Sequence, residues 1–288
     1  MGTSNAYGGA SGLTPLIPSW LDDEPSSVDG AASSPSDGQE PPDVPLPPQA
    51  ISYPPKLGSS DRFQSARNNF TRFVTSGGSD RKSLGRAVSR YVRKSTGGAR
   101  RAATRMGSSR RVGAGLVGFL NNASENGAIQ ALSALDLDTL VGRPIEEIFS
   151  GLIDNFCPDG GSIDEGIARE AFVETIADLA AAGVTDIDHL SFAQVQTVFE
   201  LYITHTIEAR ICNDIGLKVI TMPSDPQAAE LVSTQLREFI HRGVSDAIQN
   251  TEIAIHAINA TDQMEFVLGI YESAFEILRA MGETEGSE

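Results

Sequence analysis

The chain of 288 residues is acidic, with 22 Lys and Arg against 38 Asp and Glu for a net charge of -16, and it holds two cysteines. That length suits one or two domains, and Cys157 and Cys212, neither in a CxxC nor a Cys/His cluster, exclude a disulfide framework and fit a reducing compartment. No basic stretch leading into an apolar run opens the chain, and no segment reaches the roughly 18 apolar residues of a membrane span, so a soluble cytoplasmic protein is expected.

The charge divides into three blocks. Residues 1–60 carry seven acids against Lys56, for -6; residues 61–111 carry 14 Arg and Lys against Asp61 and Asp80, for +12; residues 112–288 carry -22. The first block also has 11 of the 15 prolines and 7 of the 28 glycines, too little apolar surface to offset the entropy of ordering it. A long disordered Pro/Gly/Ser-rich arm (1–60), a basic helical segment (61–124) and an acidic helical domain (125–288) are the expected organisation.

Within the arm, "GLTPLIPSW" (Gly12 to Trp20) interrupts polar sequence with Leu13, Leu16, Ile17 and the only tryptophan, Trp20. Apolar residues spaced by Pro15 and Pro18 suit an extended peptide lying in a partner's groove or against the protein's own body. Pro, Ser and Asp from Ser26 to Pro55 read as a semi-stiff spacer, and residues 2–58 fully extended would reach about 190 Å.

Helical signals begin at Asp61, a candidate N-cap, with Phe63, Ala66, Phe70, Phe73 and Val74 at helical steps. "SGGSD" (Ser76 to Asp80) stops that helix and caps a second, with Leu84, Ala87, Val88, Tyr91 and Val92 on its apolar face and Gly97 and Gly98 at its end. "ARRAATRMGSSRR" leads into "VGAGLVGFL". Pro144 reads as a first helical residue, Ser162 with Glu165 as a capping box, Gly183 as a stop. Ser191 or Asp188 starts a long helix ending near Gly216; Ser224 with Pro226 starts another and Thr261 the last. Only "GLKVITMP" has a strand-like flavour, and one short strand makes no sheet. The fold expected is all-α, a body of roughly seven to nine helices.

Chemistry is sparse. "GAGLVG" (Gly113 to Gly118) matches GxGxxG, but no strand runs into it and no β-α-β alternation follows, so it reads as a small-residue face for close helix contact. Among the four histidines the nearest to a ligand pair is His205 with Glu208, short of the converging set a zinc site wants, and the scattered carboxylates offer no acid/base pair. No catalytic residue, metal site or cofactor is expected.

The strongest electrostatic signal runs from Arg81 to Arg111, nine Arg and two Lys without an acid. Arg90, Arg93, Lys94, Arg100, Arg101, Arg105, Arg110 and Arg111 are its candidates for binding a nucleic acid or an acidic partner, with pairing to the protein's own acidic block as the alternative. With one interleaved aromatic, Tyr91, a nucleic acid would be held by its backbone and in a salt-sensitive way.

"MGTS", "GGASGLTPLIPSWLDD", the Pro-rich spacer and "ARNNFTRFVTSGGSDRKSLGRAVSRYVRKSTGGARRAATRMGSSRRVGAGLVGFL", in that order, resemble the QatB component family of the bacterial Qat anti-phage defence system over roughly residues 1–120. The resemblance implies a non-enzymatic accessory protein acting beside an ATPase, a QueC-like enzyme and a TatD-like DNase. QueC enzymes activate a carboxylate with ATP to make a deazaguanine nitrile, and QueC-like defence enzymes are thought to join a deazaguanine to an N-terminal glycine. Gly2 is then the implied modification site. Removal of Met1 would leave its α-amine, of pKa about 7.7–8.0, partly unprotonated near neutrality. Thr3 and Ser4 beside it, and Leu16, Ile17 and Trp20 further on, are the implied partner contacts. Myristoylation of Gly2 is disfavoured, since Ala6 stands where that motif wants Ser or Thr. A nucleic-acid-binding subunit that recruits the DNase through the basic block is the alternative function.

Overall fold

The computed structural model describes residues 60–157, 161–183, 190–216, 220, 222–251 and 254–287, all within one compact unit, Lys56–Glu288. Gly2, Thr3, Ser4, Leu16, Ile17, Trp20 and His189 lie outside the described residues. Ten helices and no strand are found among those described, so the all-α expectation holds. Eight helices have ten or more residues: α1 (Gln64–Thr75), α2 (Arg81–Arg90), α4 (Gly107–Asn126), α6 (Ile145–Phe156), α7 (Ile163–Ala181), α8 (Phe192–Ile215), α9 (Pro226–Gln249) and α10 (Gln263–Ser287). Two have six, α3 (Ala99–Thr104) and α5 (Ala128–Ser133). No described helix is long and apolar enough to cross a membrane.

Local chemistry explains most boundaries. Asp80 caps α2 by accepting from the Ser83 amide at 3.0 Å, and the Ser83 hydrogen bonds hold its carboxyl below the usual range. Ser162 with Glu165 and Ser191 with Gln194 form reciprocal capping boxes on α7 and α8, satisfying amides that the first turn leaves bare. Gly216 closes α8 in the left-handed region at φ 76°. At α9 the cap is Asp225 and not Ser224, because Pro226 takes the first helical position and the cap is the residue just before it.

α10 is the hub, packing against α2, α3, α4 and α9, while α7, α8 and α9 stack in turn beside it. One continuous core runs through the unit, with Phe73, Tyr91, Phe149, Tyr202, Phe239 and Phe275 fully buried, so helices of the basic and acidic blocks share the same apolar interior. The broadest contact, α2 on α10, depends on Gly85 and Gly282. A Cβ at Gly282 would run into the Gly85 carbonyl oxygen, and one at Gly85 would lie 3.1 Å from the Gly282 oxygen. Alanine normally gains about 1 kcal/mol over glycine inside a helix. Here overpacking, typically about 1–3 kcal/mol, is expected to win. Gly282→Ala should therefore lower the urea midpoint, and an unchanged or raised midpoint would show that the two helices have room.

Candidate functional site

α2 has two faces. Leu84, Ala87, Val88, Tyr91 and Val92 point inward, while Lys82, Arg86, Arg90 and Arg93 recur at steps of four, four and three and are exposed. Arg93 belongs to a π turn, Tyr91–Ser95, that continues α2. Such a turn inserts a residue into the helical ladder and re-aims its side chains. Here it holds Tyr91 inside while Arg93 and Lys94 stay in solvent.

Across from this stripe, α1 contributes Ser65, Asn68, Asn69 and Arg72, at steps of three, one and three on one helical face. Together with Arg86 and Arg90 they line a notch of about 200 Å³. A second notch of about 250 Å³ shares Arg86 and Arg90 and continues past Ser89, Arg93 and Lys94 to the end of α10. Arg90 Nη1 donates to Ser65 Oγ at 2.7 Å, and Arg86 Nε donates to the Gly286 carbonyl at 2.9 Å. Arg93 lies 3.7 Å from Glu283, the acid that lines this second notch. The result is a cleft floored by α2, with Arg72, Arg86, Arg90, Arg93 and Lys94 along it.

The remaining basic candidates go elsewhere. Arg100 and Arg101 are exposed on α3, and Arg111 is exposed on α4. Arg105 turns toward the acidic block: its Nη2 donates to Asp214 Oδ2 at 3.0 Å, and the Tyr91 hydroxyl donates to the same oxygen at 2.9 Å. Burial, with Asp214 adding to it, pushes the Tyr91 phenol well above its usual range. Arg210, 5 % exposed, donates to the Arg105 carbonyl at 2.7 Å and to Asp164, and its Nη1 lies 3.9 Å from Asp214 Oδ1. Arg110 is half-buried, with its Nε sealed from solvent and without a protein hydrogen bond. Part of the basic block is thus an internal counter-charge for Asp214 of α8, and part faces outward.

A larger cavity, about 600 Å³, lies among α2, α8, α9 and the end of α10. Most ionisable side chains on its wall are paired with an oppositely charged or titratable group: His205 Nε2 with Asp178 at 2.8 Å, His241 with Glu200 at 3.3 Å, Arg237 with Glu208 at 2.9 Å, Arg242 with Glu285 at 3.2 Å, while Arg81 Nε donates to Gln235 Oε1 at 3.0 Å and Glu238 is exposed. His205 and Glu208, the nearest sequence pair to metal ligands, are therefore committed to different partners, and no described group of three potential ligands converges. Burial pushes the Cys212 thiol far up, which leaves it a poor nucleophile. The glycines of "GAGLVG" lie inside α4, where Gly113 meets Tyr202, Gly115 meets Phe156 and Gly118 meets Gln263. They form a packing face within a continuous helix, without the strand-to-helix turn a dinucleotide needs.

Of the residues along the cleft, sequence reading singled out Arg90, Arg93 and Lys94 for a nucleic acid or an acidic partner and missed Arg86, Ser65, Asn68, Asn69 and Arg72. The available signal was the polar stripe of α1, complementary to its apolar stripe at Ala66, Phe70, Phe73 and Val74.

A family model described as "Qat anti-phage system associated protein QatB" matches residues 97–278, more than half of the chain. It covers the start of α3 to most of α10, and it overlaps the resemblance drawn over residues 1–120 only from residue 97. No curated protein and no solved structure matches the chain significantly.

Proposed function

The chain belongs to the QatB family and so has its role in the Qat anti-phage system, and we propose that within it the protein is a non-enzymatic accessory component that presents Gly2 to a QueC-like enzyme while its helical body docks on other Qat components. The observation that carries this reading is the family match, whose description is of an associated protein. Two further features favour it. His205, Arg237 and Arg242 on the wall of the cavity of about 600 Å³ are each held by a carboxylate, as in a scaffold. With Met1 removed, Gly2 would present an amine ahead of the small, uncharged Thr3 and Ser4, which an enzyme pocket can admit.

Intact mass and N-terminal peptide mapping of the full chain coexpressed with the QueC-like partner test the reading. A mass gain confined to the Gly2 amine is the expected result, together with loss of defence when one residue is inserted between Met1 and Gly2. An unmodified Gly2 in an active system, or full defence from the insertion variant, would overturn it.

A second reading is favoured by the outward arginines of α2: a nucleic-acid-binding subunit that brings a TatD-like DNase to its substrate through the basic block, with the ATPase of the system as a further partner.

A further inference from the structure

We propose that the basic surface of α2, from its notch against α1 to its notch against the end of α10, is a binding site for the sugar–phosphate backbone of a nucleic-acid duplex, held without reading its bases. The proposal rests on the second reading for its ligand class, but it assigns the contact to Arg72, Arg86, Arg90, Arg93 and Lys94 and not to the arginines of α3 or α4. Charge alone would attract any polyanion; the lining selects among them. Every side chain in the two notches is polar or charged, apart from the glycines, with no exposed apolar or aromatic group. A protein partner needs buried apolar or aromatic anchors for the core of its interface, and this cleft supplies none. Single-stranded nucleic acid is held largely by stacking on aromatic faces, also absent from this lining. A duplex backbone needs neither, since phosphates are held by Arg and Lys with Ser and Asn donors.

The donor set matches that requirement. Four of the five cations are arginines, whose planar forks hold phosphate oxygens two at a time. Ser65 and Asn68 add neutral donors at the same wall. The two notches share Arg86 and Arg90, so the donors follow one another along α2 as phosphates follow one another along a strand. Glu283, which accepts from Arg279 at 2.9 Å and lies 3.7 Å from Arg93, opposes the ligand from the α10 side.

Fluorescence anisotropy of the full chain with a short DNA duplex, an RNA duplex of equal length and a poly-glutamate peptide, over a salt series, tests the proposal. The duplexes should bind with log K falling against log salt at a slope of about -4, and with little dependence on DNA sequence. Arg86→Gln with Arg90→Gln should weaken binding about tenfold and reduce the slope by about 2, while Arg86→Lys with Arg90→Lys retains the slope. Glu283→Gln should tighten binding, and Arg100→Gln with Arg101→Gln should leave it within about twofold. All variants change exposed residues, and melting curves matched to the parent protein establish that each is folded. Binding lost only with Arg100 and Arg101 would overturn the proposal and leave the second reading standing. No duplex binding even at low salt would overturn both. Equal cleft-dependent binding of poly-glutamate, or strong preference for one DNA sequence, would overturn the assigned ligand. Duplex binding through the cleft without recruitment of a DNase would leave the proposal intact and remove the second reading.

Discussion

Asp214→Ala is expected to destabilise the protein by about 3–5 kcal/mol, the usual cost of stripping one partner from a buried ion pair. Asp214 has only 7 % of its side chain exposed and serves three groups: Arg105 at 3.0 Å, the Tyr91 hydroxyl at 2.9 Å and Arg210 at 3.9 Å. Arg210, at 6 %, cannot swing into water when its partner goes, and Asp164 alone then balances it. Arg105 is different. Its side chain is 30 % exposed, so solvent screens it and Arg105→Ala should cost distinctly less. Replacing both ends of the inner pair, Asp214→Leu with Arg210→Met, should recover much of the loss, since apolar residues of similar volume remove the stranded charge. Urea unfolding read by helical circular dichroism gives all three values. A single-variant cost below about 1 kcal/mol would mean that water reaches the network and that Tyr91 and the π turn are held by packing alone.

This network marks the boundary of what could be read from sequence. Helices announced themselves where a local signal is self-contained: the Ser162–Glu165 box and Gly216 after Ile215 each act within a few residues, while Pro144, read as a first helical residue, stands one place earlier as the extended N-cap of α6. Side-chain destination is a tertiary property and was hidden. Arg210 lies in α8, which is packed on several sides, and is buried, a destination that nothing local to its position announces. Counting basic residues along Arg81–Arg111 found the charge but could not separate Arg105, which turns inward to Asp214, from Arg90 and Arg93, which turn out. Nor could the linear count include Arg72, which precedes the stretch and joins the cleft only because α1 folds back along α2. The π turn at Tyr91–Ser95 has no sequence signature at all, although it sets which of those residues face the cleft.

Raising the pH above about 10 is expected to unfold the protein steeply, because three buried tyrosines are each held as the neutral phenol. Tyr91, Tyr202 and Tyr271 are at most 1 % exposed, and burial is the main reason their phenols sit above the usual range. Asp214 adds to it at Tyr91, and Tyr271 and Cys157 add to it at Tyr202. At Tyr271 the Thr206 hydrogen bond and nearby Arg110 and Arg210 work the other way without cancelling it. An unfolded tyrosine loses its proton near pH 10, so above that point the folded state retains protons that the unfolded chain releases, and stability falls as pH rises. Below pH 10 the contribution is fully present. Each group gives a slope of about 1.4 kcal/mol per pH unit, so the three together give about 4. The Cys212 thiol, also pushed up by burial, starts the decline from about pH 8.5. Against a total stability of roughly 5–15 kcal/mol, the folded state should be lost within about one to four pH units above 10. Tyr271→Phe removes one of the three protons and the hydrogen bond to Thr206 at 2.7 Å. The variant should be about 1 kcal/mol less stable at neutral pH, with a flatter alkaline limb, so that its stability curve crosses that of the parent protein. Once the share of Tyr7 and Tyr53 is subtracted, phenolate absorbance and helical signal should change together in both. Phenolate formation at these three sites near pH 10, with the helices intact, would show that the tyrosines are reached by water and that their burial does not govern alkaline stability.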